Sequence, residues 1–442
     1  MYREVGAAQK DGAMCLGHIS EGAGNMPPNI HEGRYYERRP NMGKYDVAAL
    51  GELLIDFAKK DVSVTGNPMF EANPGGAPCN VLAMLQKLGR KTAFIGKVGS
   101  DFLGDFLANT VKEQGIDVTG LSRDAKVPTT LAFVNNTPDG DRSFSFYRSP
   151  GADMMLGKED VDVSILDDAR IFHFGTLSMT DPDVELATKF AVEYAKRAGK
   201  IISFDPNLRE PLWDDLARAK EKMEYGMSVC DILKISDNEI EFVTGEKDIE
   251  AGVEMIKEKF APKLICATLG RDGSIALYGD CKVKEAGFIQ ENTVDTTGAG
   301  DTFMACVLNY VCENGLDGLA ESQLRDMLVF ANAAASIITT RVGALRSMPE
   351  KYEVEKLIAG RAASGVKEVQ ITLGTIDRVK RFVAVISPID ADFAIKNEKY
   401  IVDAKSIMGI FSMDLSKPLK LEIDAPSEKI DEILSVISEF TE

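Results

Sequence analysis

Two glycines flank an alanine and precede an aspartate in the stretch Val294-Asp-Thr-Thr-Gly-Ala-Gly-Asp-Thr-Phe303. The residues from Thr302 to Val311 are mostly apolar and predict a helix, so the glycines stand just before a helix N-terminus. The first N–H groups of a helix lack partners within it, and its dipole favours negative charge there. Asp301 would repel a static phosphate, but it suits a base that deprotonates an attacking hydroxyl while backbone amides hold a transferred phosphoryl group. An N-capping aspartate after a glycine turn is the alternative.

This stretch does not match the two commonest nucleotide-binding motifs. No Lys-Ser or Lys-Thr follows the glycines, as a Walker A loop requires, and the spacing is not Gly-x-Gly-x-x-Gly. The predicted anion site is therefore of another kind, in which glycines let backbone N–H groups approach the ligand closely.

A second glycine-rich stretch, Asn73-Pro-Gly-Gly-Ala-Pro-Cys-Asn80, precedes an amphipathic helix. The pair Gly75-Gly76 allows a small polar ligand to lie against the backbone, and Asn80 offers both a donor and an acceptor. Asp56 is predicted to end the first strand, at the edge where open α/β sheets bind ligands, and its carboxylate can accept two hydroxyl hydrogen bonds of a sugar. A turn followed by a helix start is the alternative interpretation of these residues.

The bulk composition is that of a globular protein of more than one domain. The chain has 442 residues, of which 45% are hydrophobic and 27% charged. A formal net charge of −18 argues against nucleic-acid and anionic-membrane partners, and no apolar run is long enough for a membrane helix. Seven scattered cysteines without a Cys-x-x-Cys pair predict reduced thiols and a cytoplasmic location.

Short apolar runs alternate with longer amphipathic runs from residue 45 to about residue 348. The predicted strands include Asp46–Asp56, Thr92–Val98, Ala169–Phe174, Lys200–Phe204, Ile232–Ile235 and Lys263–Leu269, and the predicted helices include Asp101–Gln114 and Asp183–Ala198. This alternation predicts an α/β fold with a mostly parallel sheet and helices on both faces. Thr130–Tyr147 instead alternates like two antiparallel strands around the turn Thr137–Asp141, which predicts a small β lid or an interface.

The composition changes along the chain predict four segments. They are a disordered extension at 1–41, or an artefact of start-codon choice; a main domain at 42–350 whose β lid comprises about 61–72 and 128–150; a helix and linker at 351–366; and a small α+β domain at 367–442. In the last segment the predicted strands are Glu368–Leu373, Tyr400–Ala404 and Leu419–Ile423, and the predicted helices are Ile376–Ile386 and Ser427–Phe440.

Five motifs in order resemble the ribokinase/PfkB family of carbohydrate kinases. They are Gly51-Glu-Leu-Leu-Ile-Asp56, Asn73–Asn80, Asp205-Pro-Asn-Leu-Arg-Glu-Pro-Leu-Trp213, Asn238-Glu-Ile-Glu241 and Asp295-Thr-Thr-Gly-Ala-Gly-Asp301. The last of these is the most specific, and the first and third point to the fructokinase branch. The resemblance covers residues 45–348 and implies a ribokinase-like fold and the ATP-dependent phosphorylation of a sugar hydroxyl, with fructose as the expected sugar.

The resemblance also implies roles for individual residues. Asp301 is the expected base, and Gly298, Ala299 and Gly300 form the expected anion hole. The expected sugar site contains Asp56, Gly75, Gly76, Asn80 and Phe133, with Phe146 nearby, and the arginines expected near substrate or phosphates are Arg148 and Arg209. The expected nucleotide contacts are Asn238, Glu241, Thr268, Gly270 and Asn332. As surface residues Arg148 and Arg209 would have no such role. The alternative for Asn332 is a structural polar residue on a helix of small residues.

The family resemblance implies cations and an oligomeric state as well. Glu241 is expected to act on Mg²⁺ through water, since Mg²⁺ prefers oxygen ligands and keeps several waters. Asp295 and the loop Arg341–Ala344 match the place where some members hold a monovalent cation such as K⁺, although a plain turn would look the same. Lids of this family often pair, which implies a homodimer.

Residues 402–413 resemble the second half of HPr, the phosphocarrier of sugar phosphotransferase systems, with Ser406 as the regulatory serine. An ungapped count backwards places Thr375 where HPr carries its phosphorylated histidine, and Asp377 near it. No histidine follows His173, so we expect no phosphate relay. A regulatory or docking module is predicted, with Ile407, Met408 and Ile410 as its apolar edge and a phosphotransferase-system protein as its expected partner. A small ACT-like domain and a decayed fusion partner are the alternatives.

Two other functions remain open from the sequence. A 2-keto-3-deoxygluconate kinase shares the Asp-x-Asn-x-Arg segment, here Asp205–Arg209. A catalytically idle sugar or nucleotide sensor, acting through the C-terminal domain, is the alternative of another class, which an intact Asp301 and Asn238–Glu241 disfavour.

Overall fold

The computed structural model describes residues 43–136, 142–389, 391–396 and 401–441. The predicted extension 1–41 and the predicted turn Thr137–Asp141 lie outside these residues. The strands are β1 Tyr45–Leu50, β2 Leu54–Val62, β3 Pro68–Gly75, β4 Thr92–Gly99, β5 Asp117–Asp124, β6 Leu131–Asn136, β7 Arg142–Tyr147, β8 Ala169–Phe174, β9 Ile201–Phe204, β10 Ile232–Ser236, β11 Leu264–Thr268, β12 Ser274–Tyr278, β13 Cys281–Glu285, β14 Ser364–Ile371, β15 Asp392–Lys396, β16 Ile401–Asp403 and β17 Leu419–Pro426. The helices are α1 Ala77–Lys87, α2 Phe102–Glu113, α3 Val163–Asp167, α4 Pro182–Arg197, α5 Leu216–Val229, α6 Asp237–Thr244, α7 Ile249–Phe260, α8 Ala299–Asn314, α9 Glu321–Ile338, α10 Lys351–Ala363, α11 Ile376–Ile386, α12 Ile407–Phe411 and α13 Ser427–Val436.

The main sheet has nine strands in the order β13-β12-β11-β10-β9-β8-β1-β4-β5. Its pairings are parallel from β11 through to β5, and only β12 and β13 join it antiparallel. The predicted mostly parallel α/β sheet is therefore confirmed.

Helices cover both faces of this sheet because its strands bury alternate residues on opposite sides. In β1, Val47 and Ala49 belong to a core shared with α1, α8 and α9. Ala48 and Leu50 belong to a second core shared with α4, α5 and α7. Several of these helices begin at an aspartate whose side chain accepts a backbone N–H of the first turn, as Asp101 does for α2.

A separate four-stranded sheet, in the order β3-β2-β6-β7, forms what we call the lid sheet. The predicted lid segments begin too late, since β2 already starts at Leu54 and β3 continues to Gly75. The predicted single strand Asp46–Asp56 is also wrong. The chain leaves the main sheet after Leu50 and re-enters a strand at Leu54, so Asp56 is the third residue of a lid strand. The continuous apolar run hides this break, because both strands are buried where they adjoin.

The C-terminal unit, residues 364–441, has its own four-stranded antiparallel sheet, β14-β17-β15-β16, with α11, α12 and α13. A hydrophobic core from Ile371 to Phe440 lies within it. The predicted linker is wrong at its end: Gly360 lies inside α10, and β14 begins at Ser364 directly after the helix. The prediction also misses β15, a short strand that begins and ends with a charged residue.

Within the described ranges, no helix combines the length and apolarity needed to cross a membrane. The six cysteines in these ranges are free thiols, and all but Cys281 are buried.

Candidate active site

Helix α8 begins directly after Gly298, so its N-terminus lies at the glycine-rich stretch as predicted. The N–H of Thr302 donates to the carbonyl of Gly298 at 2.8 Å, which closes the first helical turn. The N–H of Ala299 already donates to the carbonyl of Thr296 at 3.3 Å. The capacity of this end to hold an anion therefore rests mainly on the N–H groups that follow Ala299 and on the helix dipole.

Asp301 lies in the first turn of α8 and is buried. Its Oδ2 accepts a hydrogen bond of 2.8 Å from Nδ2 of Asn80 on α1, which unites two motifs 221 residues apart. Among the described residues, Oδ1 of Asn80 is a buried acceptor without a hydrogen-bond partner. A buried acceptor beside a candidate base suits a ligand whose hydroxyl group donates a hydrogen bond.

The pKa of Asp301 is raised above its ordinary value, chiefly by burial. The hydrogen bond from Asn80, the charges of Lys234 and Arg209, and a hydrogen bond from Asn207 oppose this rise. A carboxylate whose pKa is raised by burial while these groups favour its charged form is a stronger base than an exposed aspartate.

The sequence prediction missed a buried ion pair beside this base. Nζ of Lys234, on β10, lies 3.1 Å from Oδ1 of Asp205, which follows β9. Burial lowers the pKa of Lys234, but the carboxylates of Asp205, Glu239 and Asp301 more than offset it, so that pKa lies above its ordinary value. Burial raises the pKa of Asp205 to about 7. A lysine within the apolar strand Ile232–Ser236 was the available signal, since buried lysines are rare unless paired.

Helix α6 carries the predicted pair Asn238 and Glu241, both exposed and three residues apart, so they lie on the same side of the helix. Between them Glu239 is buried. Its Oε2 accepts the N–H and hydroxyl of Ser236, and its Oε1 accepts the N–H of Leu208, each at 2.8 Å. Glu239, which the sequence prediction did not single out, therefore ties α6 to the loop that carries Arg209.

Asp56 lies on β2, opposite Asn73 of β3. Burial raises its pKa to about 7, with the charge of Arg209 acting against the rise. Asp56 and Asp295 line a cleft of about 160 Å³ between the lid sheet and the loop around Gly343. The predicted position of Asp56 at the end of the first strand is wrong, but it does line a cleft beside the second glycine-rich stretch.

The start of α1 is held by a buried glutamate that the prediction did not single out. Oε1 of Glu52 accepts the N–H of Ala77 at 2.7 Å. Burial raises the pKa of Glu52 to about 7. Gly76 precedes Ala77 with a φ of 138°, and a Cβ there would overlap the carbonyl oxygen of Glu52. Only glycine fits this position, which fixes Gly75, Gly76 and Asn80 relative to the break between β1 and β2.

Phe133 does not share a face of the lid sheet with Asp56, with which it was grouped in the predicted sugar site. Asp56 pairs with Ala132 and Phe57 pairs with Phe133, and adjacent strand residues point to opposite faces. The ring of Phe133 stacks on Phe57 with centroids 5.0 Å apart. By the same register Phe146, which pairs with Ala132, lies on the face of Asp56.

The two predicted arginines lie in different surroundings. Arg148 is buried, and its guanidinium group pairs with Asp153 and donates to Thr180 and to the carbonyl of Leu177. These partners all lie within the protein, and the guanidinium group is buried among them. Arg209 is exposed, and its charge acts on both Asp56 and Asp301.

The other predicted nucleotide contacts, apart from Asn238 and Glu241 on α6, lie near the ends of β11 and β13. Thr268 is the last residue of β11 and pairs with Ser236, the residue before α6, and Gly270 follows two residues later. Nδ2 of Asn332 lies 3.4 Å from the carbonyls of Glu285 and Ala286 at the end of β13. Asn332 thus holds the backbone there, in line with the structural alternative for that residue.

The carboxylate of Asp295 links two loops. Its Oδ1 accepts the N–H of Thr297 at 2.8 Å, and its Oδ2 accepts the N–H of Gly343 at 3.2 Å. Among the described residues, no group of three or more His, Cys, Asp or Glu side chains could hold a metal ion.

In the C-terminal unit, Thr375 and Ser406 are the N-cap residues of α11 and α12. Oγ of Ser406 accepts the N–H of Gly409 at 3.2 Å. The predicted apolar edge is wrong at Ile410, which is fully buried, whereas Met408 is 79% exposed. Ile407 and Phe411 are partly exposed beside it.

Comparison with known proteins agrees with this geometry. The sequence model of the pfkB family of carbohydrate kinases matches residues 44–351. A probable fructokinase-2 of Arabidopsis thaliana is 38% identical over 309 residues, which are 70% of this chain and 94% of that protein. The crystal structure of a fructokinase with bound ATP from Xylella fastidiosa gives a TM-score of 0.66 at 30% identity, and covers 72% of this chain and 99% of that chain.

A fructokinase from Vibrio cholerae O395, in a form with bound fructose, ADP and calcium ion, gives a TM-score of 0.64 at 26% identity and covers 71% of this chain and 99% of that chain. The family match spans more than half of the chain and contains every motif described above, from Gly51 to Asp301. The chain therefore belongs to the pfkB family of carbohydrate kinases and is a sugar kinase, which transfers a phosphoryl group to a sugar.

Proposed function

We propose that this sugar kinase phosphorylates fructose to fructose 6-phosphate with ATP. The similarity to fructokinases at 38% sequence identity supports fructose as the sugar. The similarity to a fructokinase with bound ATP, and to one with bound fructose and ADP, supports the two substrates.

The observation that carries the proposal is the buried Asp301 at the start of α8, held by Asn80. Asp301 takes the proton of the attacking sugar hydroxyl. The N-terminus of α8, with Gly298, Ala299 and Gly300, stabilises the negative charge on the transferred phosphoryl group. Asp56, Gly75, Gly76, Asn80 and Phe146 form the sugar side of the site.

The nucleotide is bound by Asn238, Glu241, Thr268 and Gly270. Within the described residues no side-chain cage for a metal exists, which fits Mg²⁺, an ion usually held by substrate phosphates and water with one or two carboxylates. Glu241 supplies such a carboxylate through water, and the bound ion neutralises phosphate charge. Asp295, already joined to the loop at Gly343, is the residue that holds a monovalent cation if the enzyme uses K⁺.

A sugar panel tests the reaction. Release of ADP is measured with fructose, glucose, ribose and 2-keto-3-deoxygluconate, and we expect the highest kcat/KM with fructose. A higher kcat/KM for 2-keto-3-deoxygluconate would replace fructose by that substrate, and no ADP release with any sugar would favour a sensor.

Two variants test the roles of the carboxylates. Asp301→Asn keeps the side-chain shape, and we expect kcat to fall by about 10²–10⁴-fold while nucleotide affinity is retained. Asp56→Asn should raise the KM for the sugar and leave the KM for ATP nearly unchanged. Near-native turnover of Asp301→Asn would refute the assigned base.

We further propose that residues 364–441 are an HPr-like regulatory or docking module that does not relay phosphate. Its element order β-α-β-β-α-β-α and the position of Ser406 at the start of α12 support this. At the N-terminus of α11, Thr375 cannot form a phosphoramidate, and Asp377 in the first turn would repel phosphate.

Incubation of the full chain with phosphoenolpyruvate and the general phosphotransferase enzyme should leave the C-terminal unit unlabelled. Ser406→Asp adds charge at a helix N-terminus, where it is favourable, and should change the sugar-kinase kinetics or the binding of a partner. If the native protein and Ser406→Asp have identical kinetics and neither binds a partner, a regulatory role is rejected.

A further inference from the structure

Lys234 lies beside the first turn of α8. Its side chain is 5% exposed. If Gly300 carried a Cβ, that atom would lie 2.8 Å from Nζ of Lys234, so glycine is required for the ammonium group to approach the helix this closely. The same ammonium group lies 3.1 Å from Oδ1 of Asp205. A buried cation is thus placed between a buried carboxylate and the backbone that precedes Asp301.

The charges around Asp301 come from several elements. Lys234 on β10 and Arg209 after β9 act on it as cations. Asp205 after β9 and Glu239 on α6 contribute negative charge, and both interact with Lys234. Arg209 is exposed and screened by solvent, whereas Lys234 is buried, where a charge acts over a lower dielectric.

We propose that Lys234 is a positioning residue for phosphoryl transfer, which keeps the carboxylate of Asp301 charged and adds positive potential behind the backbone of Gly300. Asp205 holds the ammonium group in place. This inference rests on the proposed role of Asp301 as the base.

A purely structural ion pair would make a different prediction. If Lys234 only stabilises the fold, its loss lowers the melting temperature and leaves the pH dependence of turnover unchanged. If it acts on Asp301, its loss makes Asp301 bind its proton more tightly, so that a higher pH is needed to free the base. Loss of the carboxylate of Asp205 then acts in the opposite direction, because the ammonium group no longer shares its charge with a second anion.

The experiment measures kcat at saturating fructose and ATP between pH 5 and pH 9, because kcat reports the groups of the substrate complex. For Lys234→Met we expect the acidic limb of the profile to move to higher pH by about one to three units. At a pH below the limb, each unit of this shift lowers kcat about tenfold. The matched control is Lys222→Met, since Lys222 is equally buried and paired with Glu185 on α4. Lys222→Met should lower the melting temperature and leave the acidic limb of the kcat profile at its native pH.

Asp205→Asn provides the second variant, in case Lys234→Met does not fold. We expect its acidic limb to move to lower pH. A folded Lys234→Met with the native limb, or an Asp205→Asn limb that stays or moves upward, overturns the inference. Asp301→Asn separates the two hypotheses. If it keeps its turnover, the proposed base is wrong; if it loses turnover while Lys234→Met keeps the native limb, only this inference fails.

Discussion

Three carboxylates around the site share one property. Burial raises the pKa of Glu52, Asp56 and Asp205 to about 7 in each case. Between the ordinary pKa of a carboxyl group and about pH 7, such a group is protonated in the folded protein and ionised in the unfolded chain. Ionising it in the folded protein therefore costs stability. These three carboxylates supply hydrogen-bond acceptors around the site, and their ionisation lowers the free energy of unfolding at neutral and alkaline pH.

Asp56→Asn should reveal this cost. The pKa of Asp56 is raised, so its protonated form favours the folded state, and stability is lost as the pH rises from about 4 to about 7. The amide has no such charge. We expect the variant to melt a few degrees above the native protein at pH 8 and at the same temperature at pH 4, as measured by circular dichroism.

Glu258→Gln is the control for this measurement, because Glu258 is an exposed carboxylate on α7. Its melting temperature should differ from that of the native protein by a similar, small amount at both pH values. An Asp56→Asn protein that melts below the native protein at pH 8 would contradict the prediction.

Sequence reasoning at the residue scale succeeds where a motif fixes backbone and side chain together. Asp301 and Asn80 are found from their motifs, and the structure brings them into contact. It does not give the face on which Phe133 lies, because the face of a strand residue depends on register, and the sequence does not show where β2 begins. It misses Lys234 because this lysine belongs to none of the five motifs, although its place within an apolar strand was a usable signal.

At the scale of single elements, the start of α1 depends on one glycine. Gly76→Ala should lower the melting temperature and raise the KM for the sugar, because a Cβ would overlap the carbonyl oxygen of Glu52 and displace the helix that carries Asn80. Gly89→Ala is the matched control, since Gly89 also has a positive φ, 79°, but nothing within 4 Å of a Cβ.

The control should lose about 1–2 kcal/mol for its left-handed backbone and keep its KM. The comparison is made by thermal unfolding and steady-state kinetics. Equal losses for the two variants would show that the contact with Glu52 has no effect of its own.

The lid sheet presents an aromatic face formed by Phe57, Phe70, Phe133 and Tyr147. Tyr147 is 65% exposed at its edge. If two chains pair through this face, Tyr147→Glu should convert a dimer into a monomer, because it would bury a charge at the contact. Leu186→Glu, on the comparably exposed Leu186 of α4, should leave the dimer intact.

Sedimentation equilibrium at micromolar concentration distinguishes these outcomes. A native protein that is monomeric, or a Tyr147→Glu protein that remains dimeric, would remove the lid face as the dimer contact.

The elements themselves are largely predictable here. The strand Ala169–Phe174 is predicted to the residue from its apolar run. The helix Ile376–Ile386 is also predicted to the residue, because its apolar residues recur at helical spacing and Thr375 caps its start. The short β15 is missed because only three residues between its charged ends are apolar, which is too short a run to indicate a strand. The β1–β2 break is missed because apolar residues continue across it.

At the scale of the whole molecule, α10 belongs to the core of the kinase. Val354 is fully buried in that core, and Leu357 and Ile358 pack against it. Arg361 lies over the ring of Phe288 and donates to the carbonyl of Ala286. The helix that precedes the C-terminal unit is therefore also a structural part of the sugar-kinase fold.

Two truncations test this assignment. A chain that ends after Ala363 should keep the melting temperature of the kinase part and its turnover. A chain that ends after Glu350 should be destabilised by several kcal/mol, since burial of one such side chain contributes about 1.5–3 kcal/mol. Differential scanning calorimetry and the ADP-release assay give the comparison, and equal stability of the two truncated chains would contradict it.

β14 starts at the residue after α10 ends. The direction in which the chain enters the C-terminal unit therefore depends on the number of residues in α10. Each residue added to a helix turns the next part of the chain by about 100° and advances it by about 1.5 Å. A single inserted alanine would thus swing the whole unit to another side of the kinase, whereas seven would return it almost to its original heading, about 10 Å further out. Insertions that lengthen α10 as a helix therefore change the direction of this unit in discrete steps.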